Sequence, residues 1–159
     1  MSISGMLSVT AKVDGAYKAM CRPVLEEFGI PQTSLDIILF LANNPQHFTA
    51  RQVSRMRTLK PTVVSIHVDR LVKEGLLKRQ GMEEDRRKVR LILTEKAEPV
   101  IARGRQVQCS FYKKLVEGLS KEELENFRHC VIVAGENAES IRNNPEFCGK
   151  AEESPCLNY

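Results

Sequence analysis

The sequence predicts a mainly α-helical fold with one small β-hairpin, an α+β arrangement, and three observations carry that expectation. Apolar residues recur at spacings of three and four, from Val13 to Phe28 and again from Leu124 to Ile141. The period changes to that of a strand around Leu76–Gln80 and Val89–Thr94. Turn-forming residues close the helical runs at Gly29-Ile30-Pro31, at Asn43-Asn44-Pro45 and at Gly75.

In chain order, Val13, Tyr17, Met20, Val24 and Phe28 mark one amphipathic helix from about Leu7 to Phe28. Pro23 can kink it, because proline lacks a backbone donor and crowds the preceding turn. Leu35 to Leu41 is apolar nearly all round, as in a short helix at the centre of a small domain. Thr49 and Gln52 have capping-box spacing, so a short helix is expected from about Ala50 to Met56. After the Arg57-Thr58-Leu59 turn, Pro61 suits a first helical position, where its fixed φ helps and its missing donor costs little. Val64, Val68 and Leu71 then form the buried stripe of a helix ended by Gly75.

Two strands follow, Leu76 to Gln80 and Val89 to Thr94, with Val89, Leu91 and Leu93 expected on one face. The charged run Gly81 to Lys88 between them is too long for a tight turn and should project as a loop. Thr94 is expected to cap a long helix reaching about Glu117, with Pro99 tolerated in its first turns and Val100, Val107, Phe111 and Leu115 as its stripe. Ser120 and Glu123 make a second capping box, opening a helix whose Leu124, Phe127, Val131, Ala134, Ala138 and Ile141 form a heptad-like seam. From Asn143 the tail is polar and carries prolines and a glycine, and it is expected to wrap loosely or fray.

The formal charge of +4 is modest, but its distribution is uneven. Between His47 and Lys96 the basic residues Arg51, Arg55, Arg57, Lys60, Arg70, Lys73, Lys78, Arg79, Arg86, Arg87, Lys88, Arg90 and Lys96 outnumber the acids Asp69, Glu74, Glu83, Glu84, Asp85 and Glu95. A middle suited to a polyanion thus lies between flanks that lean acidic, a solvated charged surface being the plainer alternative. The N-terminal residues lack a basic flank followed by a sustained apolar run, so no signal peptide is expected. No stretch approaches the roughly 18 apolar residues of a membrane span. Five scattered cysteines suit free thiols in a reducing compartment, and the expected location is cytoplasmic. No Cys-x-x-Cys or paired His/Cys spacing, phosphate-cradling glycine loop or nucleophile–base arrangement is present, so no metal, no cofactor and no enzymatic activity are expected.

Two short helices joined by a tight turn and followed by a basic hairpin make a unit with a mechanical use. The second helix has the diameter to enter a DNA major groove while the charged loop reaches the adjoining backbone or minor groove. With Val64, Val68 and Leu71 packed inward, the DNA-binding candidates on that helix are Lys60, Thr62, Val63, Ser65, Ile66, Arg70 and Lys73. Thr62 and Ser65 can hydrogen-bond base edges or phosphates, Val63 and Ile66 can contact thymine methyls, and Lys60, Arg70 and Lys73 can neutralise phosphates. Val63 and Ile66 are alternatively ordinary core contacts. In the loop, Asp85, Arg86, Arg87 and Lys88 complete the candidates: a carboxylate two residues from a guanidinium can hold the arginine fork ready for a narrow minor groove.

The run from Leu71 to Thr94, LVKEGLLKRQGMEEDRRKVRLILT, resembles the signature of the MarR family of bacterial winged-helix regulators, in the leucine and glycine closing the recognition helix, the acidic-then-DRR wing and the strand ending in Leu-Thr. The likeness extends over about residues 7 to 142 and includes the upstream PVLEEFGI segment. It implies a winged helix-turn-helix domain with a helical dimerisation region from both termini: an N-terminal dimerisation helix over 1–30, the DNA-binding domain over 31–95, C-terminal dimerisation helices over 96–145 and a tail over 146–159. It also implies a homodimer on palindromic double-stranded DNA, with Arg87 entering the minor groove and Asp85 orienting it. The chain departs from the family pattern at Ile66, where a polar residue or arginine is common, at Val63, where Thr or Ser is common, and at Ala97, where glycine is common. Base readout is therefore expected to be more apolar, or the operator unusual.

Proteins resembling this family commonly lose DNA affinity on binding small phenolic or lipophilic ligands, or on oxidation. Tyr17, Met20, Cys21, Phe40 and His67 are the candidates for such an effector pocket, core packing being the alternative for each. Cys21 beside Arg22 and Cys148 near Lys150 invite a redox reading, although Cys21 lies later in its helix than the sensing cysteine of peroxide-responsive relatives. The reading from another class is a winged helix used as a protein-interaction module, its basic face docked on an acidic partner.

Overall fold

The structure, a computed structural model, describes residues 2–46, 48–81 and 89–144. Its elements are α1 (Ile3–Phe28), α2 (Gln32–Asn43), α3 (Ala50–Met56), α4 (Pro61–Lys73), β1 (Leu77–Gly81), β2 (Val89–Leu93), a 3-10 turn (Glu95–Ala97), α5 (Glu98–Leu115) and α6 (Lys121–Asn143). The mainly α expectation with one hairpin is met. The strands pair antiparallel, from Leu77 opposite Leu93 to Gly81 opposite Val89. The chain divides into two compact units, Thr10–Phe111 and the combination of Met1–Val9 with Tyr112–Tyr159.

The larger unit is organised around α2. Leu35, Ile37 and Ile38 are completely buried and Leu39 nearly so, which explains why this helix reads as apolar on all sides. Around it pack Cys21 and Val24 of α1, Val53 of α3, Val64, Val68 and Leu71 of α4, Leu77 and Leu91 of the hairpin, and Val100 and Ile101 of α5. Each large aliphatic side chain removed from water in this way contributes about 1.5–3 kcal/mol. Residues 10–30 and 96–111, expected in the dimerisation region, thus share a unit with the winged helix.

The helices stop where local chemistry stops them. Gly29 and Gly75 adopt φ of 62° and 74°, and the next amide donates back five residues, Ile30 to the Leu25 carbonyl and Leu76 to the Leu71 carbonyl. The α3 end closes the same way through Leu59 and the Ser54 carbonyl, but the left-handed position is held by Thr58, at φ 53°. A β-branched residue is strained there, and the Ser54 hydroxyl, donating to the Leu59 carbonyl at 2.7 Å, helps to hold the turn. Both expected capping boxes are formed, Thr49 with Gln52 and Ser120 with Glu123.

Several expectations are corrected. Helix α1 starts at Ile3 rather than near Leu7 and is assigned without a break through Pro23. Helix α2 spans a full Gln32–Asn43, because Pro31 starts it and accepts from the Ser34 and Leu35 amides. Thr94 precedes a 3-10 turn and makes no capping bond; its hydroxyl donates instead to the Gly75 carbonyl at 2.7 Å. Leu91 is buried and Leu93 packs on the core, but Val89, beyond the core's edge, is 40% exposed.

In the second unit, α6 has no buried residue, and its seam is uncovered at Phe127, Val131 and Ile141. Within this unit the Arg128 guanidinium lies over the Tyr112 ring and donates to its hydroxyl from Nε at 3.0 Å and Nη2 at 2.9 Å. The tail expected over 146–159 lies outside the described residues.

Gly104 sets how closely α5 approaches α2. A Cβ there would meet Leu39 Cδ2 at 2.7 Å and Cδ1 at 2.9 Å, inside a filled core. Gly104→Val is expected to lower unfolding stability by about 1–3 kcal/mol, measured by urea denaturation at fixed protein concentration. An unchanged midpoint would show that the two helices are not in close contact.

Candidate nucleic-acid interface

The site is built on α4, whose two sides have different fates. Val64, Val68 and Leu71 are 0%, 1% and 0% exposed, so the helix cannot rotate without dragging apolar surface into water. At about 100° per residue the opposite side carries Thr62, Ile66, Asp69 and Lys73, all exposed, with Ile66 at 66%. Lys60 and Ser65 are exposed as well, whereas Val63 is half-buried and so closer to the core-contact alternative than Ile66 is.

Neighbouring elements fasten this helix at several points. At its C-terminus the Lys96 ammonium donates to the Glu74 carbonyl at 2.8 Å, which suits the negative end of the helix dipole. Ser34, fully buried in α2, hydrogen-bonds His67 Nδ1 at 3.0 Å. Arg70, expected to neutralise a phosphate, has its Nε on Glu74 Oε1 at 2.7 Å and its Nη2 on the Gly29 carbonyl at 2.9 Å. It ties α4 to the end of α1, and any phosphate would compete with those bonds.

The hairpin is held at its root from two directions. On one strand Arg79 pairs with Asp69 of α4. On the other, the Arg90 guanidinium lies 4.7 Å from the centre of the Phe48 ring and the Leu91 amide donates to the Phe48 carbonyl at 2.7 Å. The four expected wing residues, Asp85, Arg86, Arg87 and Lys88, lie outside the described residues.

Of the expected effector residues, Tyr17 and Phe40 line one cavity of about 170 Å³, whereas Met20, Cys21 and His67 do not line it. Its polar lining comes from residues the sequence analysis did not single out: Asp36, Asn43, Asn44, Arg57 and Gln108. Arg57 Nη2 lies 3.5 Å from Asp36 Oδ2, which links the cavity to the turn before α4. Burial pushes the Tyr17 hydroxyl up to about 12; the neighbouring Cys21 adds to this and a hydrogen bond with Gln108 opposes it. Tyr17 therefore keeps its proton at neutral pH. Cys21 is completely buried, while Cys109 and Cys130 are exposed. Among the described residues, no three His, Cys, Asp or Glu side chains gather as a metal site, and no helix is long and apolar enough to cross a membrane.

Comparison with known proteins places this geometry. The MarR family model matches residues 28–88, beginning at the end of α1. Among solved structures, the transcriptional regulator PA3341 is 24% identical, with a TM-score of 0.75 over 85% of this chain and 98% of that one. The S. aureus MepR–DNA complex is 17% identical with a TM-score of 0.72, covering 86% of this chain and 96% of its own. A putative MarR family transcriptional regulator from Listeria monocytogenes, complexed with 26mer DNA, is 15% identical with a TM-score of 0.75, covering 86% and 89%. The resemblance read from the residues is thereby supported: residues 28–88 match the MarR family model, and the fold is similar to that of solved MarR transcriptional regulators.

Proposed function

We propose that this chain is a sequence-specific, double-stranded-DNA-binding transcriptional regulator that acts as a homodimer, a repressor released by a small-molecule signal. One observation carries the reading: the outward side of α4 presents Thr62, Ser65, Ile66 and Lys73 to solvent while its inward stripe is locked in the core. A helix so held offers a rigid face of two hydroxyls, one aliphatic side chain and one cation, which suits base edges, thymine methyls and phosphates in a major groove. The DNA complexes among the structural neighbours support this use of the fold. The wing residues Asp85, Arg86, Arg87 and Lys88 enter the proposal on the family resemblance, with Arg87 in the minor groove.

The dimer rests on the uncovered seam of α6, whose Phe127, Val131 and Ile141 would otherwise leave apolar area in water. For the signal, the cavity at Tyr17 favours a small molecule over an oxidant acting at Cys21: a phenol donor and an Arg57–Asp36 pair face that space, while the Cys21 thiol is buried. A ligand that draws Arg57 from Asp36 would disturb the turn leading into α4.

Selection of bound duplexes from a random pool tests the reading. The expected outcome is a two-fold symmetric site with half-sites about 10 base pairs apart, bound far more weakly as salt rises from about 50 to 200 mM. Enrichment of no sequence would leave the protein-interaction module as the better reading. Arg87→Ala is expected to weaken binding to the selected duplex at unchanged thermal midpoint, measured by fluorescence anisotropy. Two variants separate the sides of α4: Ile66→Ala should change stability by no more than about 0.5 kcal/mol while lowering affinity for the selected site, and Leu71→Ala should cost about 2–5 kcal/mol of stability.

A further inference from the structure

Asp69 is out of place on a surface that meets a polyanion. It lies on the outward side of α4 between Ile66 and Lys73, with a side chain 60% exposed, and by charge alone it should repel phosphates. Its Oδ1 accepts from Arg79 Nη2, and Arg79 belongs to β1. Register explains the meeting: Arg79 stands opposite Leu91, and Leu77 and Leu91 both enter the core, so Arg79 emerges from the same inward face just beyond the core's edge. Across the hairpin, Arg90 on Phe48 holds the other strand.

Building on the DNA-binding reading, we propose that Asp69 and Arg79 are a positioning pair: the ion pair sets the hairpin root against the recognition helix, so that an acid on the groove side of α4 raises DNA affinity instead of lowering it. The pair is too exposed to matter much for folding, since surface ion pairs are worth little and are screened by salt. Its value lies in geometry. The hairpin reaches out from its root to Gly81 and Val89, and a small rotation at the root becomes a larger displacement further along. Fixing that angle before binding reduces the ordering that DNA would otherwise have to impose.

Charge and positioning predict opposite signs for one variant. Asp69→Asn removes a negative charge with little change of shape. Simple electrostatics requires it to bind every duplex more tightly; the positioning role requires binding to the selected duplex to weaken about threefold to tenfold, with a smaller change on random duplex and an unchanged thermal midpoint. Asp69→Asn combined with Arg79→Gln should bind no worse than Arg79→Gln alone, because the pair is already broken. The exchanged pair, Asp69→Arg with Arg79→Asp, should recover part of the selected-over-random ratio. Tighter binding by Asp69→Asn, additive losses in the double variant, or no recovery on exchange would each overturn the proposal while leaving the DNA-binding reading intact. A wild-type protein that prefers no duplex would overturn that reading, and the role of the pair with it.

Discussion

The packing of Val64, Val68 and Leu71 into the core around α2 is the constraint from which the rest of the site follows. Those side chains lie within one narrow arc of α4, so burying them fixes the helix's rotation and leaves Thr62, Ile66, Asp69 and Lys73 facing outward. The outward side is exposed along its length. It carries one exposed isoleucine, whose side chain is available to a partner surface.

Polar contacts refine what the apolar stripe sets. Arg70 on the Gly29 carbonyl, Lys96 on the Glu74 carbonyl and Ser34 on His67 join α4 to α1, to the segment after the hairpin and to α2. Each net hydrogen bond is worth only about 1 kcal/mol, less than one buried leucine, so these contacts orient the helix more than they hold it in place. The Arg57–Asp36 pair and the strained Thr58 connect the cavity beside Tyr17 to the turn that launches α4. In the proposed function that connection is the route by which an effector reaches the DNA-facing side.

Much of this was legible in the residues because the physics is local. Thr49 with Gln52 and Ser120 with Glu123 read as capping boxes, Pro61 as the start of α4 and Val64, Val68 and Leu71 as its buried stripe, since each follows from spacing within one or two turns. What escaped was tertiary. Asp69 and Arg79 belong to different elements, and no periodicity rule brings them together. Arg70 reads as a free cation until α1 is seen to end beside it. Thr94 has the look of a cap, but the nearby Gly75 carbonyl takes its hydroxyl. The cavity draws Tyr17, Asp36, Arg57 and Gln108 from distant parts of the chain, and sequence analysis found only its aromatic members, Tyr17 and Phe40, by their residue type.

The central claim is that the outward side of α4 meets base edges. Photo-crosslinking tests it most directly: a photoactivatable side chain placed at position 66, and in a separate protein at position 125 on α6, is irradiated with a bound duplex. The account requires efficient crosslinks from position 66 to bases and only background from position 125. Equal yields from the two positions, or attachment from position 66 to protein alone, would contradict it.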